Sequence, residues 1–160
     1  MKPGLKILNS REKKKFLEKL EVAYGIPKLR LDHVFLQTPK GRLYITNRDI
    51  EKIPLDNLRI NSIGLYFANS SPEGLRLTIE GSQLIGKMAT KNILELNKEQ
   101  SKQWFSGEDI NIASAMQGFV LIKHAHDFLG TGRLANGILH NFLGKERRIK
   151  IEPQRDKLVE

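Results

Sequence analysis

Gln117–Ile151 constrains the fold more than any other stretch of this 160-residue chain. Phe119-Val120-Leu121-Ile122 is apolar at every position, the pattern of a strand covered on both faces. It therefore predicts a strand crossing the middle of a small sheet. Gly130-Thr131-Gly132-Arg133 follows, where two glycines predict a tight turn or bulge and room for a ligand to approach. Lys145, Arg147, Arg148 and Lys150 come next, with only Glu146 against them. A rigid sheet with a basic rim beside a glycine turn suits a phosphate backbone.

Charge points the same way. The formal net charge is +9 and the pI about 9.8, an excess that attracts polyanions. Residues 1–31 carry nine Lys/Arg against three Glu, and residues 133–150 carry five against one. With no cysteine, disulfides, thiolate metal sites and cysteine nucleophiles are excluded within this sequence. No apolar run reaches the roughly 20 residues of a membrane helix, and the charged start lacks an apolar leader segment. The expectation is a cytoplasmic protein with no membrane partner.

Residues 10–24 predict an amphipathic helix, capped by Ser10, with Phe16, Leu17, Leu20 and Tyr24 inward and Lys13, Lys14, Lys15 and Lys19 outward. Gly25 and Pro27 end it. Val34–Thr38 and Arg42–Thr46 predict a hairpin about Pro39-Lys40-Gly41, and Ser62–Ala68 with Leu75–Thr78 a second about Asn69–Gly74. Asn47–Lys52 and Glu80–Met88 predict short helices, the second with Leu84 and Ile85 inward. The weakest join is expected near Ala89–Asn92. Beyond it come the strand Ile93–Leu96, the helix Lys98–Phe105 capped by Asn97 with Trp104 and Phe105 inward, and strands at 110–112, 119–124, 128–133 and 138–141. Residues 153–160 are expected to form a tail.

The order of these pieces resembles an α/β pre-PUA domain followed by a PUA domain. The first domain's resemblance rests on Arg42–Thr46 with Asp49-Ile50, Ser62-Ile63-Gly64-Leu65 and Leu75-Arg76-Leu77-Thr78. The second rests on Lys91–Trp104 with Gly107, Gln117-Gly118-Phe119-Val120-Leu121 and Asp127-Phe128-Leu129-Gly130-Thr131-Gly132. The chain is similar to the pre-PUA/PUA ribosome-assembly factors and, close behind, to the PUA-like tails of the Nol1/Nop2/Sun rRNA methyltransferases. The resemblance implies an α+β fold: a basic helical segment at 1–31, a small α/β pre-PUA-like domain at 32–90 and a PUA-like β-barrel at 91–152. It also implies a non-catalytic protein that recognises structured rRNA in ribosome assembly or rRNA modification. A ribosome-assembly factor or rRNA methyltransferase would be its protein partner. Carried over by position, the RNA-binding residues are Arg133, Lys145, Arg147, Arg148 and Lys150, with Lys98 and Lys102 beside them. The methyltransferases of that family use cysteine catalysis and a large cofactor-binding domain, and this sequence contains neither.

Each pointed reading has a plainer rival. The basic end is either a solvated surface or a phosphate contact; its density and its arginines, whose planar fork binds phosphate bidentately, favour contact. Gly130-Thr131-Gly132 lacks the strand–glycine–helix setting of a phosphate loop, which favours a turn or bulge. His124, His126 and His140 do not make a convincing closed metal site, so neither metal nor cofactor is expected. Tyr44, Tyr66, Phe67 and Trp104 are either base-stacking groups or core. Tyr66 and Phe67 point to opposite faces, and Phe67 and Trp104 read as core. Asp49/Glu51 and Glu108/Asp109 are the close acid pairs, and acids at turns more often cap backbone. No catalytic motif is present. The alternative is a protein-interaction adaptor in an RNA-processing complex, which would present an exposed apolar patch on the first domain.

Overall fold

A computed structural model describes residues 5–47 and 64–149. The fold is α+β, with two five-stranded sheets among the described residues. The first sheet is a meander of β1 (Lys6–Ile7), β2 (Val34–Gln37), β3 (Arg42–Thr46), β4 (Leu65–Ser71) and β5 (Gly74–Leu77), each strand antiparallel to the next. Helix α1 (Ser10–Tyr24) packs on it, and α2 (Ile79–Ile85) with a 3-10 turn at Gly86–Met88 leads out of it. The second sheet holds β6 (Ile93–Glu95), β7 (Ile110–Asn111), β8 (Gly118–His124), β9 (Asp127–Ala135) and β10 (Ile138–Asn141) in the order β6-β8-β9-β10-β7. β6 and β8 run parallel, with α3 (Lys98–Phe105) following β6.

The cap of α1 is Asn9 rather than Ser10. Its side chain accepts from Glu12 N, and the Glu12 carboxylate reaches back to Asn9 N, satisfying two backbone donors reciprocally. Lys6 bonds to the same carboxylate and holds the Glu12 pKa below the usual carboxylate range, helped by the Asn9 backbone bond. Gly25 closes the helix in the left-handed conformation at φ 62°. Asn97 and Gln100 repeat the reciprocal box at α3.

Alternation explains what each sheet buries. Phe35, Leu43, Ile45, Phe67, Leu75 and Leu77 meet Phe16, Leu20 and Tyr24 of α1 in one core. Phe16, Phe35 and Phe67 pack at centroid distances of 5.3–6.1 Å with tilted or edge-on rings, the geometry aromatic quadrupoles favour. The sequence reading set residues 1–31 apart; their helix completes the first unit's core.

β8 divides its residues between two cores. Val120 and Ile122 face Leu94, Leu96, Trp104, Leu134 and Leu139, whereas Leu121 joins Phe128 in the first unit's core. The two units therefore share apolar packing. Polar bonds join them as well: Leu77 N donates to Thr131 Oγ1 at 3.1 Å and Gly130 N to Ser82 Oγ at 2.9 Å. The 89–92 stretch is not a loose join. Thr90 N and Asn92 Nδ2 both donate to α1 carbonyls, Tyr24 O at 2.8 Å and Ala23 O at 2.6 Å, and Asn92 O accepts from Leu121 N.

Of the turn and the bulge that Gly130-Thr131-Gly132 allowed, the structure has the bulge: the segment lies inside β9, where Leu129 and Gly130 stand opposite the single residue Ile122, with Gly130 at φ 102°. Three further expectations need correcting. The second hairpin turns at Pro72-Glu73, because β4 runs on to Ser71. Leu84 is exposed and Ile85 buried, since successive helix residues point roughly 100° apart and one stripe of α2 faces the core. Phe105 is half-buried, while Trp104 is fully inside. The helix expected at Asn47–Lys52, Ser62-Ile63 and the tail lie at or outside the edge of the described residues. No described helix is long and apolar enough to cross a membrane.

Candidate nucleic-acid interface

The basic residues singled out from sequence separate into two groups. Arg133 and Arg147 stand at the seam between the units. Arg133 projects from β9 and pairs with Glu73 of the β4–β5 turn at 3.6 Å. Arg147, in a 3-10 turn at Lys145–Arg147, pairs with Glu80 of α2. Lys98 and Lys102 lie four residues apart on α3 and are exposed, as is Lys145. Arg148 lies over Gly107 just beyond α3, where any Cβ at Gly107 would meet its Nε at 2.4 Å, and it donates to Leu143 O at 3.1 Å. Lys150 lies outside the described residues.

This division changes what those arginines mean. Arg147 ties the second unit to α2, and Arg148 bonds back to Leu143 O, while Ile149 N ties the end of the described chain to α3 by donating to Phe105 O at 2.7 Å. Both have structural work besides any contact with a ligand. Lys98, Lys102 and Lys145 are the cleaner surface cations.

The seam itself contains a cavity of about 130 Å³. Leu77, Thr78, Ile79 and Glu80 line it from the first unit, and Trp104, Leu129, Gly130 and Thr131 from the second. Trp104 is fixed by Nε1 donating to Leu129 O at 2.9 Å. Gly132 makes room for it: a Cβ there would stand 3.1 Å from the indole and 2.6 Å from Leu139. The glycines of this segment thus serve ring packing and a bulge. Thr131 is buried and its hydroxyl accepts from Leu77, so the segment does not lie open to a phosphate as a loop.

Beside the cavity runs a row of aromatic and guanidinium groups, of which the sequence had offered Tyr44 and Tyr66 as base-stacking candidates but not Arg42, Arg76 or Phe142. The register pairs Arg42 with Asn69 and Asn69 with Arg76, placing these three across the outer face of the first sheet. Tyr44 and Tyr66 are also register partners, with rings 5.3 Å apart and inclined by 30°. Arg42 stands over Tyr66 at 5.7 Å, and Arg76 over Phe142 of the second unit at 4.3 Å. Phe142 in turn meets Phe119 edge-on at 6.0 Å. Period-two alternation along β3 and β5 puts Arg42, Tyr44 and Arg76 outward. That signal was available; what it lacked was the pairing that brings them beside Phe142.

The histidines and acids have local partners. His124 Nδ1 lies 2.8 Å from Leu96 O, while His126 sits beyond Ala125 in the turn after β8. Asp109 Oδ1 accepts from Asn141 N at 2.9 Å and its Oδ2 lies 3.3 Å from His140 Nδ1. No group of three or more potential metal ligands occurs among the described residues.

Comparison with known proteins settles the kind of domain. Residues 91–149 match the family model described as the methyltransferase RsmF PUA domain. The second unit is PUA-like. Similarity also reaches beyond that segment. The ribosomal RNA small subunit methyltransferase F of Aeromonas hydrophila is 26% identical over 146 residues, covering 87% of this chain and 28% of that protein. The proteins of the same name in Vibrio cholerae and Psychromonas ingrahamii are 27% and 26% identical, covering 66% and 67% of this chain. The alignment to the Aeromonas protein is too long for the PUA-like unit alone, so it includes part of the first unit. The chain spans about a quarter of the length of these curated relatives. Of the two families that the sequence resembles, these matches fall with the methyltransferases.

Proposed function

We propose that the protein is a non-catalytic RNA-binding protein that recognises folded rRNA, in the cytoplasm and beside an rRNA methyltransferase centre. The match of residues 91–149 to a PUA domain of rRNA methyltransferases carries this reading. Exposed Lys98, Lys102 and Lys145 on that unit supply cations for phosphates. A sheet-based module of this kind selects RNA by shape, with phosphate contacts fixing its register and a few polar or stacking groups choosing the site.

The test compares a structured small-subunit rRNA fragment with single-stranded RNA and duplex DNA at two salt concentrations. Tight binding to folded RNA that weakens steeply with salt is expected. Changing Lys98, Lys102 and Lys145 together to Gln should flatten the salt slope by roughly 0.7–0.9 for each phosphate no longer neutralised. Equal, weak binding to all three nucleic acids would defeat the proposal. Incubation with a radiolabelled methyl donor and the same RNA tests the absence of catalysis; label in the RNA would overturn that part.

The adaptor reading draws support from Leu84 and Met88. They are four residues apart on α2 and its 3-10 extension, and both are exposed. Stable pull-down of a purified methyltransferase module without RNA, abolished by Leu84→Ser with Met88→Ser, would favour it.

A further inference from the structure

We propose that the seam cavity receives the base of one unpaired nucleotide, with Arg76 and Arg42 beside it for the adjoining phosphates. The proposal rests on the RNA-binding reading and names where that RNA is contacted. It moves part of the contact away from the basic end of the chain onto the first sheet.

The cavity has the chemistry of a nucleotide. A nucleotide presents a flat π surface with a polar edge and an adjoining anion. Apolar side chains of Ile79, Leu129 and Leu143 form the walls, with the Tyr66 and Phe142 rings at the outer side. The Asn69 amide also lines it, and an amide carries both a donor and acceptors for a base edge. Arg76 adds a cation, and Glu146 and the Arg147–Glu80 pair also line the cavity. The Arg76 guanidinium lies over Phe142, and no carboxylate is paired with it or with Arg42 among the described residues. The other two seam arginines, Arg133 and Arg147, do have acidic partners. Arg76, which lines the cavity, and Arg42, on the adjoining face of the first sheet, are therefore ready for a phosphate, and both stand on aromatic faces, an arrangement that also stacks on bases.

Two further points favour an unpaired nucleotide over a duplex. The Tyr44–Tyr66 pair continues the aromatic surface beside the cavity, so a neighbouring base finds a platform as well. A paired base has no free face to offer to either. The site also needs both units, because its walls come from β4, β5 and α2 on one side and from α3, β9 and the segment after β10 on the other.

The experiment uses the full chain and two RNAs of equal length and charge, a hairpin with a seven-nucleotide loop and a fully paired duplex. Wild type is expected to prefer the loop by about tenfold, the scale of one or two stacked bases. Arg76→Gln with Tyr66→Leu should abolish the preference, with the loop losing about tenfold more affinity than the duplex. Lys98→Gln with Lys102→Gln and Lys145→Gln should weaken both RNAs alike. A halogenated uridine in the loop, photocrosslinked to wild type, should attach to Tyr44, Tyr66 or Phe142; this readout does not depend on any variant folding. Equal binding of loop and duplex, or crosslinks only outside the seam, overturns the cavity proposal while leaving the RNA reading intact. Failure to bind either RNA removes both.

Discussion

The two units of this molecule divide charge and likeness between them. Residues 1–31, on and around α1, hold nine Lys/Arg against three Glu, a surplus of six out of the chain's net nine. Residues 91–149, which match the PUA family model, hold eight Lys/Arg against six Asp/Glu, a surplus of two. The part that looks like a known nucleic-acid module is thus nearly balanced, and the part outside the family match carries most of the field. On the proposed RNA-binding reading, net charge would draw a polyanion from a distance, while shape and ring placement would hold it. The exposed face of α1 with Arg11, Lys14, Lys15 and Lys19 suits the first role, the seam and α3 the second.

Damage to one core shows whether the other can survive without it. Trp104 is almost wholly buried, is bonded to Leu129 and fits against Gly132. Trp104→Ala should cost about 3–5 kcal/mol of stability. Because Leu121 and Phe128 of the second sheet lie in the first unit's core, chemical denaturation should show one transition for both units. Two separated transitions, with the α1 unit unaffected, would mean that the shared packing does not couple them.

A subtler break targets the hydrogen bonds across the seam. Thr131→Val keeps the shape of the side chain but leaves the buried Leu77 N–H without its acceptor. The expected loss is about 1–3 kcal/mol, measured by urea titration. No change would show that the N–H finds another partner and that the seam is held by packing alone.

Replacing Lys14, Lys15 and Lys19 with Gln sharpens the charge contrast. On the RNA reading, stopped-flow association should slow about threefold at low salt while dissociation stays as it was, since these cations steer rather than hold. A faster dissociation instead would place α1 in the contact itself.

The smallest effect concerns alkaline pH. Burial pushes the Tyr24 phenol up to about 12, against a weaker opposing effect of its hydrogen bond with Thr131. The folded state thus keeps a proton that the unfolded chain releases near 10. This stability is complete below pH 10 and is lost as pH rises towards 12. Melting temperature should fall over that window in wild type and less in Tyr24→Phe.

Local pattern carried much of this fold. Helical spacing placed α1, with its cap one residue too late, spacing and the Asn97 cap placed α3, and the apolar run at 119–122 marked the strand at the middle of the second sheet, because these signals depend on residues a few positions apart. The glycines at 130 and 132 show the limit. Sequence offered a turn or a bulge, and the choice depended on Trp104 and Ile122, which lie 26 and 8 residues from Gly130. Arg147 and Arg148 read as free phosphate ligands, yet Glu80 and Leu143 engage them.

The element types, the polyanion-attracting charge and the resemblance to a PUA-bearing chain were legible in the residues alone, since they follow from composition, order and short-range periodicity. That α1 belongs to the first core, that both units share packing, and that Arg76, Tyr66 and Phe142 meet around one cavity emerged from the folded chain. Those outcomes rest on strand register and on contacts between distant segments. Side-chain alternation tells which face a residue occupies, but not which surface that face will meet.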